Sequence, residues 1–137
     1  MRIEQPKKEY RTSGHIVHSC EYHIVWCTKY RRQVLSEEIQ NRLKSLIHQQ
    51  QNEYKYSVIE VQTMPDHVHL LAEVDPNESV GMVVSRIKGF TSKVLRSEFN
   101  ELKTRLPNLW TRSQFISSTG GVTLEVLKQY IENQKGV

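Results

Sequence analysis

Tyr56-Ser-Val-Ile-Glu-Val-Gln-Thr-Met64, Pro65-Asp66 and His67-Val-His-Leu-Leu-Ala-Glu-Val74 form the stretch whose reading decides the fold. Both long runs are strand-like, and Pro65-Asp66 between them is turn chemistry, so a β-hairpin is the natural connection. Upstream, Ser36 followed by Glu37 and Glu38 reads as an N-cap with acids in the first turn. Ile39, Leu43, Leu46 and Ile47 then recur at helical spacing, which predicts an amphipathic helix over 37–51. Before it, His15–Lys29 reads as one strand with Val17, Ser19, Glu21, His23 and Val25 on one face. His18, Cys20, Tyr22, Ile24 and Trp26 fall on the other face, and Tyr30-Arg-Arg-Gln-Val-Leu35 follows as a basic turn.

Downstream, Asp75-Pro-Asn-Glu-Ser79 ends the hairpin and caps a second helix striped by Val80, Val83, Val84, Ile87, Val94 and Leu95. Leu106-Pro-Asn-Leu-Trp110 breaks that helix, and Trp110–Ser117 reads as a short last strand. Ser118-Thr-Gly-Gly121 is a flexible joint before a final helix near Val122, whose apolar positions are Leu124, Leu127 and Ile131. The order β-α-β-β-α-β plus one helix is an α+β, ferredoxin-like (split βαβ, RRM-like) layout. It predicts an antiparallel sheet covered on one face by two helices. Residues 1–14 read as a polar arm and 15–137 as a single domain.

The composition fits that size. The 137 residues are 37% hydrophobic and 25% charged, with net charge +4, and mean hydropathy is −0.58 with a pI near 9.1. No apolar run approaches the roughly 20 residues of a membrane span, and the N-terminus lacks the apolar core of a signal peptide. Cys20 and Cys27 form no CxxC pair, which argues against a disulfide scaffold and for a reducing, cytoplasmic setting. A modest basic balance permits a nucleic-acid partner without requiring one.

Three groups of residues carry candidate chemistry. On a strand, His67 and His69 project from one face about 7 Å apart at Cα, which suits two nitrogen ligands for a divalent ion or two surface histidines. Glu73 shares their parity, and His23 shares a face with acids near them. Tyr130 and Gln134 stand one helical turn apart, either as a phenolic nucleophile beside a polar helper or as a packing pair. Between Ser79 and Arg112 there are seven Lys/Arg (Arg86, Lys88, Lys93, Arg96, Lys103, Arg105, Arg112) against Glu98 and Glu101. With Phe90, Thr91, Ser92 and Trp110 interleaved, they read as a phosphate- and base-gripping stretch or as a solvated helix face. Lys29, Tyr30, Arg31 and Arg32 make a second basic and aromatic cluster. The chain has no glycine-rich phosphate loop, GxSxG elbow, HExxH motif or three-carboxylate nuclease pattern.

Taken together, these segments resemble the single-tyrosine transposases of the insertion sequence 200/605 family, a branch of the HUH (His-hydrophobic-His) endonucleases. The resemblance rests on Tyr22–Arg32, Met64-Pro-Asp-His-Val-His-Leu-Leu71, Lys88-Gly-Phe-Thr-Ser92, Leu109-Trp-Thr-Arg-Ser113, Gly120-Gly-Val and Tyr130-Ile-Glu-Asn-Gln134. The segments run in family order from about residue 15 to the end. The resemblance implies that His67, His69 and Gln134 hold Mg²⁺ or Mn²⁺, and that Tyr130 attacks DNA to leave a 5′-phosphotyrosine and a free 3′-OH. It further implies single-stranded DNA with hairpin ends as substrate, and a homodimer in which the tyrosine helix reaches the other subunit's histidines. The expected DNA contacts are Lys29, Arg31, Arg32, Arg86, Lys88, Thr91, Ser92, Lys93, Arg96 and Arg112.

Two other readings accompany it. One is a repeat-associated domesticated tyrosine nuclease, in which an Asn-Pro motif follows the tyrosine. Here Tyr130-Ile-Glu-Asn-Gln-Lys135 favours the mobile-element enzyme. The other is a noncatalytic single-strand-binding module, whose sheet would display stacking aromatics where this chain places histidines.

Overall fold

The computed structural model describes residues 11–13, 16–18, 20–118 and 124–137. The expected arm up to residue 10, the Ser118–Gly121 joint beyond Ser118 and the start of the last helix at Val122 lie outside the described residues.

The hairpin forms as its sequence dictates. Strands β4 (Tyr56–Met64) and β5 (His67–Val74) flank Pro65-Asp66 and pair antiparallel from Tyr56↔Val74 to Met64↔His67. One feature is not legible in the alternation: the register shifts between Val58 and Glu60, leaving Ile59 bulged outward at 39% exposure. The extra residue switches parity, so that Tyr56, Val58 and Val61 all reach the same core.

The expected strand over His15–Lys29 is divided. Strand β3 (Glu21–Cys27) belongs to the main sheet, whereas β1 (Arg11–Ser13) and β2 (Ile16–His18) pair in a separate two-stranded ribbon. β3 lies antiparallel to β5 on one side and to β6 (Phe115–Ser118) on the other, giving the order β4-β5-β3-β6. That is the ferredoxin-like order. The last strand is shorter than expected, since Trp110 makes only an isolated bridge to Thr28 and residues 111–114 form a loop.

Parity then sorts the side chains. Ile24 and Trp26 of β3 and Val68, Leu70 and Ala72 of β5 join the main core with helices α1 (Glu37–Gln49) and α3 (Val80–Glu98). Ser36 Oγ accepts from Ile39 N at 3.3 Å and Ser79 Oγ from Met82 N at 3.4 Å, so both helices start at the caps read from the sequence. α1 stops at Gln49, and a short turn α2 (Gln51–Tyr54) follows, ended by Lys55 at φ 62°. α3 breaks at Phe99, before α4 (Asn100–Arg105), because Phe99 leaves helical φ/ψ and packs against the core. Leu106-Pro107 then stops α4. Among the described residues no helix is long and apolar enough to cross a membrane.

The last helix, α5 (Leu124–Glu132), packs on the opposite face of the sheet. Its Leu127, Tyr130 and Ile131 cluster with Val25 and Phe115, which have the parity opposite to Ile24 and Trp26. β5 is consequently buried along its whole length. Leu70→Ala, in the helix-covered core, is expected to lower unfolding free energy by about 2–5 kcal/mol in a denaturant titration. Ile59→Ala at the exposed bulge should stay within about 0.5 kcal/mol. Equal losses at the two positions would contradict this placement of the core.

Candidate active site

The face under α5 carries the residues singled out by chemistry. Register pairs Val25 with His69 and Cys27 with His67, so His23, Val25, Cys27, His67 and His69 share it. The hairpin tip is fixed by the basic turn: Thr28 N donates to Asp66 O at 2.9 Å and Leu35 N to Pro65 O at 3.0 Å. That turn is tight, with Tyr30 and Arg31 both in left-handed backbone at φ 58° and 52°.

His67 is oriented from behind. Its Nδ1 lies 2.7 Å from Asp66 Oδ1, while Asp66 Oδ2 accepts from Arg31 Nε at 3.1 Å. An Nδ1–H donated to the carboxylate leaves Nε2 as the lone-pair nitrogen, the arrangement usual behind a metal-ligating histidine. In keeping with this, His67 Nε2 is buried with no hydrogen-bond partner among the described residues.

His69 is deeper. Its Nε2 is 3.1 Å from His23 Nδ1, and the two rings stack at 5.3 Å. Burial, reinforced by His23 and His67, pushes the His69 pKa down to about 4, and burial also lowers His23. Both rings are therefore neutral at pH 7, and the neutral imidazole is the ligating form. Cys27 is no thiolate: burial, with Asp66 nearby, pushes it up to about 12.

Tyr130 and Gln134 come together through a third residue. Tyr130 Oη is 2.9 Å from Ser113 Oγ, and Ser113 Oγ donates to Gln134 Oε1 at 2.9 Å. Gln134 lies in the turn after α5 and not on the helix itself, because the helix ends at Glu132. Burial raises the Tyr130 phenol pKa above its ordinary value.

The end of α5 is tied to the basic turn. Arg31 Nη1 donates to Ile131 O at 3.2 Å and pairs with Glu132 Oε2 at 3.3 Å, while Tyr30 N donates to Val137 O at 2.7 Å. Between α5 and the start of β5 lies a cleft of about 380 Å³, lined by Arg31, Met64, Asp66, His67, Lys128, Ile131 and Glu132. Its two cations are balanced by two carboxylates, and Arg31 is paired with both of them, which leaves Lys128 as the cation not engaged by those acids.

Among the described residues, no three of His, Cys, Asp or Glu converge on a metal. A cation here would use two imidazoles and a neutral oxygen donor such as the Gln134 amide. The Nε2 of His67, without a partner among the described residues, fits that donor set; His69 is neutral, but its Nε2 would have to leave His23 Nδ1 to join it.

The expected DNA contacts divide into two kinds. Lys88 and Thr91 are corrected, since both are buried in the α3–loop interface. Lys88 Nζ donates to the carbonyl oxygens of Thr111 (2.8 Å), Arg112 (3.3 Å) and Ser113 (3.1 Å) and to Gln114 Oε1 (3.0 Å). Burial pushes the Lys88 pKa down to about 8, so it is still an ammonium at neutral pH. Thr91 Oγ1 accepts from Trp110 Nε1 at 3.1 Å and donates back to Ile87 O at 2.8 Å. Arg31 is also turned inward, onto Asp66 and Glu132.

The others face solvent in part or fully. Ser92, Lys93 and Arg96 line a groove of about 550 Å³ with Lys103 and Asn108. Arg86 and Arg112 are exposed. Lys29 and Arg32 flank the Tyr30 ring, at 4.9 and 6.0 Å from its centre. The sequence reading assigned no role to Lys128 or Ser113. Lys128 carried no signal beyond being a surface lysine on the tyrosine helix, whereas Ser113 closes the Leu109-Trp-Thr-Arg-Ser113 motif.

With this geometry in place, the comparisons with known proteins are specific. The family model described as "Transposase IS200 like" matches residues 16–134. The ISDra2 transposase TnpA of Deinococcus radiodurans is 35% identical over 120 residues, covering 86% of each chain. A transposase for insertion sequence element IS200 from Salmonella typhimurium is 29% identical over 126 residues, covering 90% of this chain and 82% of its own. A crystal structure of a D. radiodurans protein described as a transposase superposes with TM-score 0.85 at 32% identity, over 93% of this chain and 99% of that one. The fold is also that of a REP-associated tyrosine transposase bound to a REP hairpin, at TM-score 0.54 and 13% identity, over 95% of this chain and 69% of that one. A family match running from β2 through Gln134, together with a relative 35% identical over 86% of each chain, settles the membership: this chain belongs to the IS200-like transposase family.

Proposed function

We propose that this transposase cleaves and rejoins single-stranded DNA at insertion-sequence ends through a 5′-phosphotyrosine on Tyr130. The observation that carries the reading is the cleft between the start of β5 and α5, the helix that bears Tyr130, with His67 in its lining and His67 Nε2 left without a partner among the described residues. His67, His69 and Gln134 would hold a divalent ion, Mg²⁺ or Mn²⁺, which when bound polarises the scissile phosphate. The chain's own groups supply the rest. Asp66 holds Nδ1 of His67 so that Nε2 carries the lone pair, and Lys128 supplies positive charge for the phosphate oxygens, Arg31 being taken up by Asp66 and Glu132. Tyr130 Oη forms the new bond to phosphorus as the P–O3′ bond breaks, and the phenolic proton is lost to solvent or to the departing 3′-oxygen.

Rejoining is the reverse exchange, in which a 3′-OH attacks phosphorus and Tyr130 leaves. One phosphate ester replaces another in each direction, so no ATP is needed. The groove along α3, with Ser92, Lys93, Arg96 and Lys103, and the Lys29-Tyr30-Arg32 cluster are the surfaces offered to a DNA hairpin. The proposal includes a cytoplasmic homodimer with sites shared between subunits. α5 here docks on its own sheet, so sharing requires exchange of the Leu127–Val25 and Arg31–Glu132 contacts between subunits.

With Mg²⁺ or Mn²⁺ and a single-stranded hairpin substrate, the wild-type protein should give a band covalently attached to DNA on a denaturing gel. Tyr130→Phe should reduce that band at least about a thousandfold while leaving DNA binding intact. An undiminished adduct from the variant would refute the nucleophile assignment.

The raised phenol pKa sets the pH dependence. Below that pKa the phenolate fraction grows about tenfold per pH unit, so single-turnover adduct formation should keep climbing from pH 6 to pH 9. A plateau below pH 8 would contradict a buried, unlowered phenol. Mixed dimers of Tyr130→Phe and His67→Ala subunits should recover cleavage if sites are shared. No recovery in verified heterodimers would leave each subunit to work alone.

A further inference from the structure

The motif Leu109-Trp-Thr-Arg-Ser113 is built into the structure more firmly than a surface loop needs. Trp110 Nε1 is tied to Thr91 Oγ1, and Thr111 N donates to Cys27 O at 3.0 Å. The buried Lys88 ammonium gathers the carbonyl oxygens of Thr111, Arg112 and Ser113. Immediately afterwards Phe115 enters β6 beside Val25. The backbone of Ser113 is thereby fixed from both sides, while its side chain projects to the tyrosine helix.

Its hydroxyl there has two partners. A serine hydroxyl carries one hydrogen, and Ser113 spends it on Gln134 Oε1 at 2.9 Å. The 2.9 Å contact with Tyr130 must then be donated by the phenol, with Ser113 Oγ accepting. The order is Tyr130 O–H to Ser113 O–H to Gln134 C=O. This turns the phenolic hydrogen toward Ser113 and leaves both lone pairs of Oη directed elsewhere. It also couples the nucleophile to the amide one turn further on.

Resting on the proposed role of Tyr130, we infer that Ser113 is a positioning residue for strand cleavage: clamped by Lys88, its hydroxyl orients the Tyr130 phenol and holds Gln134 in register with it. Phe115, whose ring lies 5.6 Å from that of Tyr130, fixes the ring but has no polar atom to set the hydroxyl. Without Ser113 the phenol can rotate about its C–O bond and α5 loses a polar tie to the loop. Misplacement of a reacting atom by about 1 Å can cost on the order of 100-fold in rate.

Ser113→Ala and Ser113→Thr separate this role from a merely structural one. In single-turnover reactions with single-stranded hairpin DNA, Ser113→Ala should slow adduct formation about ten- to a hundredfold at saturating DNA, with DNA affinity unchanged. Ser113→Thr keeps the hydroxyl and should react within about threefold of wild type. In protein without metal or DNA, the ¹³Cζ resonance of labelled Tyr130, assigned by its loss in Tyr130→Phe, should shift in Ser113→Ala and return in Ser113→Thr. Wild-type kinetics together with an unmoved resonance in Ser113→Ala would overturn the inference. So would a Thr variant as slow as the Ala variant with the same fall in melting temperature. If the wild-type protein forms no adduct at all, the proposed chemistry fails, and the resonance alone decides whether Ser113 holds Tyr130.

Discussion

The register of β3 on β5 is the constraint on which the rest of the molecule depends. Glu21↔Glu73 through Cys27↔His67 sets every side chain of the two central strands to one face or the other. Ile24, Trp26, Val68 and Leu70 then meet α1 and α3, while His23, Val25, His67 and His69 meet the side occupied by α5. A slip of one residue would put imidazoles into the helix-covered core and leucine under the tyrosine helix. The apolar burial against α1 and α3 that such a slip would forfeit excludes it. Stability and site geometry are thus two consequences of one set of backbone hydrogen bonds.

The site itself is organised by groups that leave polar atoms free as well as by groups that satisfy them. Asp66 takes one nitrogen of His67 and leaves the other bare; burial holds His69 and His23 neutral. Beside His67 the cleft brings Lys128 of the last helix together with the Arg31–Asp66–Glu132 ion pairs. Arg31 links the two halves, touching the carboxylate behind His67 and the last turn of α5. Docking of the tyrosine helix and orientation of the first histidine therefore share one side chain.

Much of this was legible in the sequence. Strict turn chemistry at Pro65-Asp66 placed β4 and β5 residue for residue, and period-two alternation placed the HxH pair on one face. The serine caps marked the starts of α1 and α3. Other features were hidden for definable reasons. A bulge at Ile59 changes parity without any signal in composition. The early end of α3 at Phe99 depends on tertiary packing, which overrides local propensity. Lys88 and Thr91 were misplaced on the surface because their residue types suggest phosphate contacts. Their spacing argued otherwise, since Val84, Lys88, Thr91 and Leu95 fall on one helical stripe and all are buried. The His23–His69 contact and the bridge through Ser113 join residues far apart in the chain, so only the folded register reveals them.

The central claim is that the histidine face and Tyr130 form one strand-cleaving site. Its most direct test is mass spectrometry of tryptic peptides after reaction of the wild-type protein with single-stranded hairpin DNA and Mn²⁺. The account predicts a nucleotide joined through its 5′-phosphate to the peptide Gln129–Lys135, on Tyr130. Cleaved DNA with free 5′-phosphate ends and no peptide adduct, or an adduct on any other residue, would contradict it.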